Sequence, residues 1–250
     1  MSRLKIIAGN WKMNCTPAES KELITNLIAS EKSESEVVTI VCPPFTSLSM
    51  AAELLSKSGI KLGAQNLSEH ESGAYTAEIS AGMLVAAGVI YVIIGHSERR
   101  QYHYENDSLI NAKLKIALNN GLLPIFCVGE TLKEREAGDS QKVVSGQLLS
   151  GMADLSVENM KNLTVAYEPV WAIGTGKTAT PEMAQDMHKF IRKNLAKIEP
   201  AIAISTPILY GGSVKPDNAT GLLSQPDIDG ALVGGESLSA DSFMKIIEAA

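Results

Sequence analysis

Short, uniformly apolar runs recur along the chain: Ile6 to Ala8, Val37 to Cys42, Ile60 to Ala64, Val89 to Ile94, Leu122 to Val128, Leu163 to Tyr167, Pro207 to Tyr210, and Ile228 to Val233. Most do not alternate with polar residues, which is the pattern of parallel strands covered on both faces. The intervening segments carry helix-start signals. Thr16, Pro17 and Glu19 make a capping box with proline at the first helical position, and Thr180-Pro181 repeats the cap-plus-proline signal. Helical stripes follow: Leu23, Ile24, Leu27 and Ile28; Leu109, Ala112 and Ile116; Met183, Met187 and Ile191. Strand then helix, about eight times in 250 residues with no composition break, predicts an α/β fold. Count and length fit a closed (β/α)8 barrel of eight parallel strands surrounded by helices, one domain over residues 1–250. A doubly wound open sheet shares this element order and is the competing architecture.

Composition narrows the function classes. A content of 45% apolar and 20% charged residues excludes disorder, and 5% aromatic residues make the core mainly aliphatic. The net charge of −6, without a Lys/Arg tract, argues against a surface for duplex nucleic acid, and no nucleic-acid partner is expected. An anionic ligand must therefore be held by local charge or backbone N–H groups. Cys15, Cys42 and Cys127 form neither a disulfide framework nor a C-x-x-C pair, so a cytoplasmic, reducing compartment is expected. Residues 1–8 lack the apolar region of a secretory signal. Ile79 to Ser97 is uncharged and nearly long enough to span a bilayer, but Ser80, Gly82, Gly88 and Gly95 interrupt it. Gly82 to Ala87 suits a short helix and Val89 to Ile94 a buried strand, so no membrane association is expected.

In a parallel barrel, residues just past the strand C-termini converge on one face. There the chain carries Asn10-Trp11-Lys12-Met13-Asn14, Gly95-His96-Ser97-Glu98-Arg99-Arg100, a long segment starting at Glu168, Tyr210-Gly211-Gly212-Ser213, and Gly234-Gly235-Glu236-Ser237. A cation, an imidazole, a carboxylate and glycine turns would share one rim, a set suited to an anionic phosphate substrate and proton transfer. Taken singly, each has a plainer reading as a solvated loop charge, a structural histidine or a turn. Gly174 to Thr178 looks like a nucleotide P-loop but lacks its first glycine, because position 171 is Trp. A lid fits better: Pro169 stiffens one end, Gly174 and Gly176 permit rearrangement, and Val170 to Ile173 could cover a small ligand, with the Gly174 N–H facing a phosphate. The late glycine turns fit the phosphate site that barrels build after strands seven and eight. Cys127 reads as buried packing, while His70, His103 and His188 read as surface or helix residues without zinc-ligand spacing.

These motifs, together with Tyr167 to Gly176 and Tyr210 to Val214, resemble the triosephosphate isomerase family across essentially the whole chain. The resemblance implies a TIM barrel and a cytosolic glycolytic isomerase. It implies a homodimer without cofactor or metal, acting on dihydroxyacetone phosphate and glyceraldehyde 3-phosphate. It gives Glu168 the role of base and His96 that of electrophile and proton shuttle. Lys12, aided by Asn10, stabilises charge, and Glu98 holds Lys12 or its neighbours. Gly174, Ser213, Gly234 and Gly235 grip phosphate. Gly73 to Glu78 resembles the family's protruding dimer loop, with Thr76 entering the partner. Ala77 departs from a common glycine, and Glu236 from a common small residue; a carboxylate there either points outward or weakens phosphate binding. Another sugar-phosphate barrel with a metal, such as a pentose phosphate epimerase, and a silent scaffold barrel are the rival readings.

Overall fold

The apolar runs form eight parallel strands in the computed structural model, which describes residues 3–31, 36–172 and 179–250. In chain order the elements are β1 (Lys5–Asn10), α1 (Pro17–Ser30), β2 (Val37–Cys42), α2 (Leu48–Leu55), β3 (Lys61–Ala64), α3 (Ala81–Ala86), β4 (Tyr91–Ile94), α4 (Ser97–Tyr102), α5 (Asp107–Asn119) and β5 (Leu123–Val128). They continue as α6 (Leu132–Glu136), α7 (Ser140–Gly151), α8 (Val157–Met160), β6 (Thr164–Tyr167), α9 (Pro181–Ile198), α10 (Pro200–Ser205), β7 (Ile208–Tyr210), α11 (Pro216–Leu223), β8 (Gly230–Val233) and α12 (Ala240–Glu248). Each strand pairs with the next and β8 pairs with β1, closing the barrel and ruling out the open sheet. Closure runs from Ile6 opposite Gly230 to Gly9 opposite Val233. Gly230 has φ +147°, and a Cβ there would lie 1.8 Å from the Ile6 carbonyl oxygen, so only glycine fits at this seam.

Uniformly apolar strands are explained by two cores. Ile6, Ala8, Ile40, Ile93, Ile125, Cys127, Ala166, Leu209 and Leu232 belong to one cluster that fills the barrel interior. Their neighbours Ile7, Val41, Val92, Phe126, Val165 and Ile208 belong to the second, against the helices. The alternation of side chains along a strand thus buries both sets. Helix starts follow the sequence signals: the Thr16–Glu19 capping box opens α1, and Thr180 accepts the Met183 N–H to open α9.

Two stripes need correction. In α5 the buried apolar residues are Ile110, Leu114, Ile116, Ala117 and Leu118, whereas Leu109 and Ala112 are only half-buried. In α9, Met183 is exposed in the first turn, and the buried face runs through Ala184, Met187, His188, Ile191 and Leu195. His188 is therefore on a helix as expected but not at the surface. Among the described residues, no helix is long and apolar enough to cross a membrane.

Candidate active site

A cavity of about 290 Å³ opens at the C-terminal ends of the strands, lined by Asn10, Lys12, His96, Glu168, Ser213, Gly234 and Gly235, among others. Seven residues singled out from five separate loops thus share one wall. Gly174 lies outside the described residues, as does the lid beyond Ala172; Val170–Ala172 is a short 3-10 turn.

The first loop sets Lys12. Its φ of +53° is unusual for a residue with a side chain, and hydrogen bonds hold it there. The Lys12 N–H donates to Asn10 Oδ1 at 3.0 Å, and Gln65 Nε2 donates to the Lys12 and Cys42 carbonyls at 2.8 and 2.9 Å. The ammonium reaches Glu98 Oε1 at 2.6 Å.

The fourth loop sets His96, which caps α4. Its Nδ1 accepts the Glu98 N–H at 3.2 Å, leaving the ring proton to Nε2. Arg100 explains the rest of that motif by bonding the Gly95 carbonyl, the Cys127 carbonyl and Asp107, which ties the ends of β4 and β5 together.

Glu168 follows β6 and is 2% exposed. Its Oε1 lies 2.9 Å from His96 Nε2, and its Oε2 accepts the Ser97 N–H at 2.9 Å. Burial disfavours charge on both partners, but their contact outweighs it. The Glu168 carboxyl is held below the usual carboxylate range by His96, the Ser97 N–H and Lys12; His96 is raised, chiefly by Glu168. The backbone here is pinned. Glu168 N–H donates to the Val128 carbonyl at 2.8 Å, Gly211 N–H donates to the Tyr167 carbonyl at 2.7 Å, and a Cβ on Gly129 would lie 1.7 Å from the Glu168 carbonyl oxygen.

Sequence reasoning missed several contributors. Ser97 acts through a backbone donor that no motif displays. Glu130, wholly buried after β5, accepts from Tyr167 Oη at 3.1 Å, Trp171 Nε1 at 2.9 Å and Arg135 at 3.1 Å, anchoring the start of the Glu168 loop. Its place just past a strand end was the signal that could have found it. Glu236 is among the residues that line the cavity, as is Lys215. Thr76 lies apart, exposed on the loop between β3 and α3, where His70 stacks on Tyr75 with ring centroids 3.7 Å apart. Among the described residues no group of His, Cys, Asp and Glu is arranged to hold a metal ion.

Comparison with known proteins agrees with this geometry. The family model described as triosephosphate isomerase matches residues 5–250. Relatives named triosephosphate isomerase from Carboxydothermus hydrogenoformans, Chloroflexus aurantiacus and Hydrogenovibrio crunogenus are 54%, 52% and 51% identical to this chain. The matches cover 98%, 98% and 99% of this chain, and 98% of each relative. With a closed eight-stranded barrel beneath it and a carboxylate, an imidazole and an ammonium around one cavity, the chain belongs to the triosephosphate isomerase family.

Proposed function

We propose that this chain interconverts dihydroxyacetone phosphate and glyceraldehyde 3-phosphate through an enediolate, with Glu168 as base, His96 as electrophile and Lys12 as the stabilising charge. The observation that carries the reading is the 2.9 Å contact between Glu168 and His96 Nε2 at the wall of a cavity that also holds Lys12. A substrate carbonyl oxygen that accepts the Nε2 proton takes that donor away from Glu168. The freed carboxylate, still buried and now less stabilised as an anion, becomes a stronger base facing the adjacent carbon. It removes the carbon-bound proton and returns it to the neighbouring carbon. His96 gives its Nε2 proton to one substrate oxygen and recovers a proton from the other. Lys12 and the Asn10 amide stabilise the negative oxygen formed between these steps.

Ser213, Gly234 and Gly235, with Gly174, hold the phosphate through short polar groups and backbone N–H donors, which lets an acidic protein bind a dianion. Glu98 keeps the Lys12 ammonium aimed at the site. The whole chain acts as one barrel domain. It works in the cytoplasm, where Cys15, Cys42 and Cys127 stay as free thiols. No cofactor takes part. Two copies associate, the Thr76 loop of each reaching the Lys12 region of the other. Large apolar side chains exposed beside the site loops support this: Met13 next to Lys12 is 98% exposed, and Tyr104, just past α4, is 86% exposed.

A coupled spectrophotometric assay with glyceraldehyde 3-phosphate tests the reaction. Turnover that persists with a chelator present is expected; no turnover, or turnover only with added metal, would favour a different sugar-phosphate reaction. Sedimentation across a dilution series tests the assembly, since fully active monomers would exclude a shared site.

A further inference from the structure

The charge around the cavity is unexpectedly balanced for a site that takes a dianion. Among the described residues its lining includes two lysines, Lys12 and Lys215, and two glutamates, Glu168 and Glu236. Lys12 is already engaged by Glu98 at 2.6 Å. Glu168 has its own partners in His96 and Ser97. The Glu236 side chain has no hydrogen-bond or ion-pair partner among the described residues, and it is half-buried beside Gly234 and Gly235. No local contact therefore accounts for a glutamate at this position, and the protein's net charge of −6 adds to its repulsion of anions.

We infer that Glu236 is an affinity-setting residue: its charge weakens the hold of the cavity on phosphate dianions. This rests on the proposed phosphate end of the site. The phosphate group does not react, so its repulsion by Glu236 is the same in substrate, enediolate and product. A uniform effect of this kind alters binding of all three and leaves the barrier between them alone. Its use is release. A site that held every phosphate ester tightly would be occupied by product or by inorganic phosphate, and one fixed charge at the mouth prevents that.

The test is Glu236→Gln, which keeps shape and breaks no bond, with Glu236→Asp as the variant that keeps the charge. Inorganic phosphate is titrated into each protein by calorimetry or phosphorus NMR, which needs no turnover, and KM is measured in parallel. For E236Q, phosphate Kd and substrate KM should fall by about fivefold at low ionic strength, the scale of a partly exposed charge pair, and the gain should shrink in 0.5 M salt. E236D should stay near the parent protein. Equal phosphate affinity in E236Q and the parent, or the same gain in E236D, overturns the inference. If the parent isomerises triose phosphates while the affinities stay equal, only this inference fails. If the affinities shift as stated and no isomerisation occurs, it is the isomerase reading that fails.

Discussion

Shortening the proposed base by one methylene, Glu168→Asp, isolates the reach of the carboxylate from its charge. In the parent chain both oxygens are used, Oε1 at 2.9 Å from His96 Nε2 and Oε2 at 2.9 Å from the Ser97 nitrogen. Removing a carbon–carbon bond length retracts the carboxylate by about 1.5 Å. The main chain cannot follow to make up the difference. It is fixed by the Val128 carbonyl on one side and the Gly211 N–H on the other, and it lies directly against Gly129. A misplacement of this size costs on the order of 100-fold in rate, or about 2.7 kcal/mol of barrier, because proton transfer depends steeply on the approach of base to carbon. The residues proposed to hold the phosphate, Ser213, Gly234 and Gly235, keep their side chains and backbone in this variant, so KM should change by less than about threefold. Steady-state kinetics in both reaction directions supply the check, with unfolding midpoints to confirm that the variant is folded. A kcat within threefold of the parent, or a loss confined to KM, would mean that Glu168 does not take the proton.

Three further outcomes follow from other parts of the structure. Lys12→Met removes the ammonium that sits 2.6 Å from Glu98, and should raise KM and lower kcat by about tenfold or more each; steady-state kinetics in which neither parameter moves would remove Lys12 from the mechanism. His188 is wholly buried and its pKa is lowered to about 3, mainly by desolvation, so the unfolded chain takes up a proton below about pH 6.5 that the folded chain refuses. Its stabilising effect is complete above that pH and is lost as pH falls towards 3; urea unfolding at pH 7 and pH 5 should show the parent losing about 2 kcal/mol more than His188→Gln, and equal losses would contradict the burial argument. Ala77 holds φ +77°, where glycine carries no steric cost, so Ala77→Gly should raise the calorimetric midpoint by up to about 2 °C, and a fall would show that the loop needs the side chain.

What could be read from the sequence was what chain-local rules control, and the exceptions mark where distant contacts take over. Eight apolar runs located eight strands because a parallel strand buries both faces whichever neighbours it has, and the strand-end rule then brought Lys12, His96 and Glu168 together. The α5 stripe shows the limit. Lys113 lies on the buried face between Ile110 and Leu114, with its ammonium 2.6 Å from Glu105 Oε1 and 3.0 Å from Asn66 Oδ1, so the true face does not look apolar. Counting only apolar residues shifted the stripe towards Leu109 and Ala112. His188 misleads in the same way: it is buried because its ring packs against Tyr167 and Tyr210, at the ends of two strands remote from α9 in the chain. Glu236 is the sharpest case. Its position after a glycine pair says that a carboxylate stands near the rim, but inward or outward is a matter of one side-chain torsion. Its place in the cavity lining emerges only from the folded barrel, and that is what brings its charge to bear on the ligand.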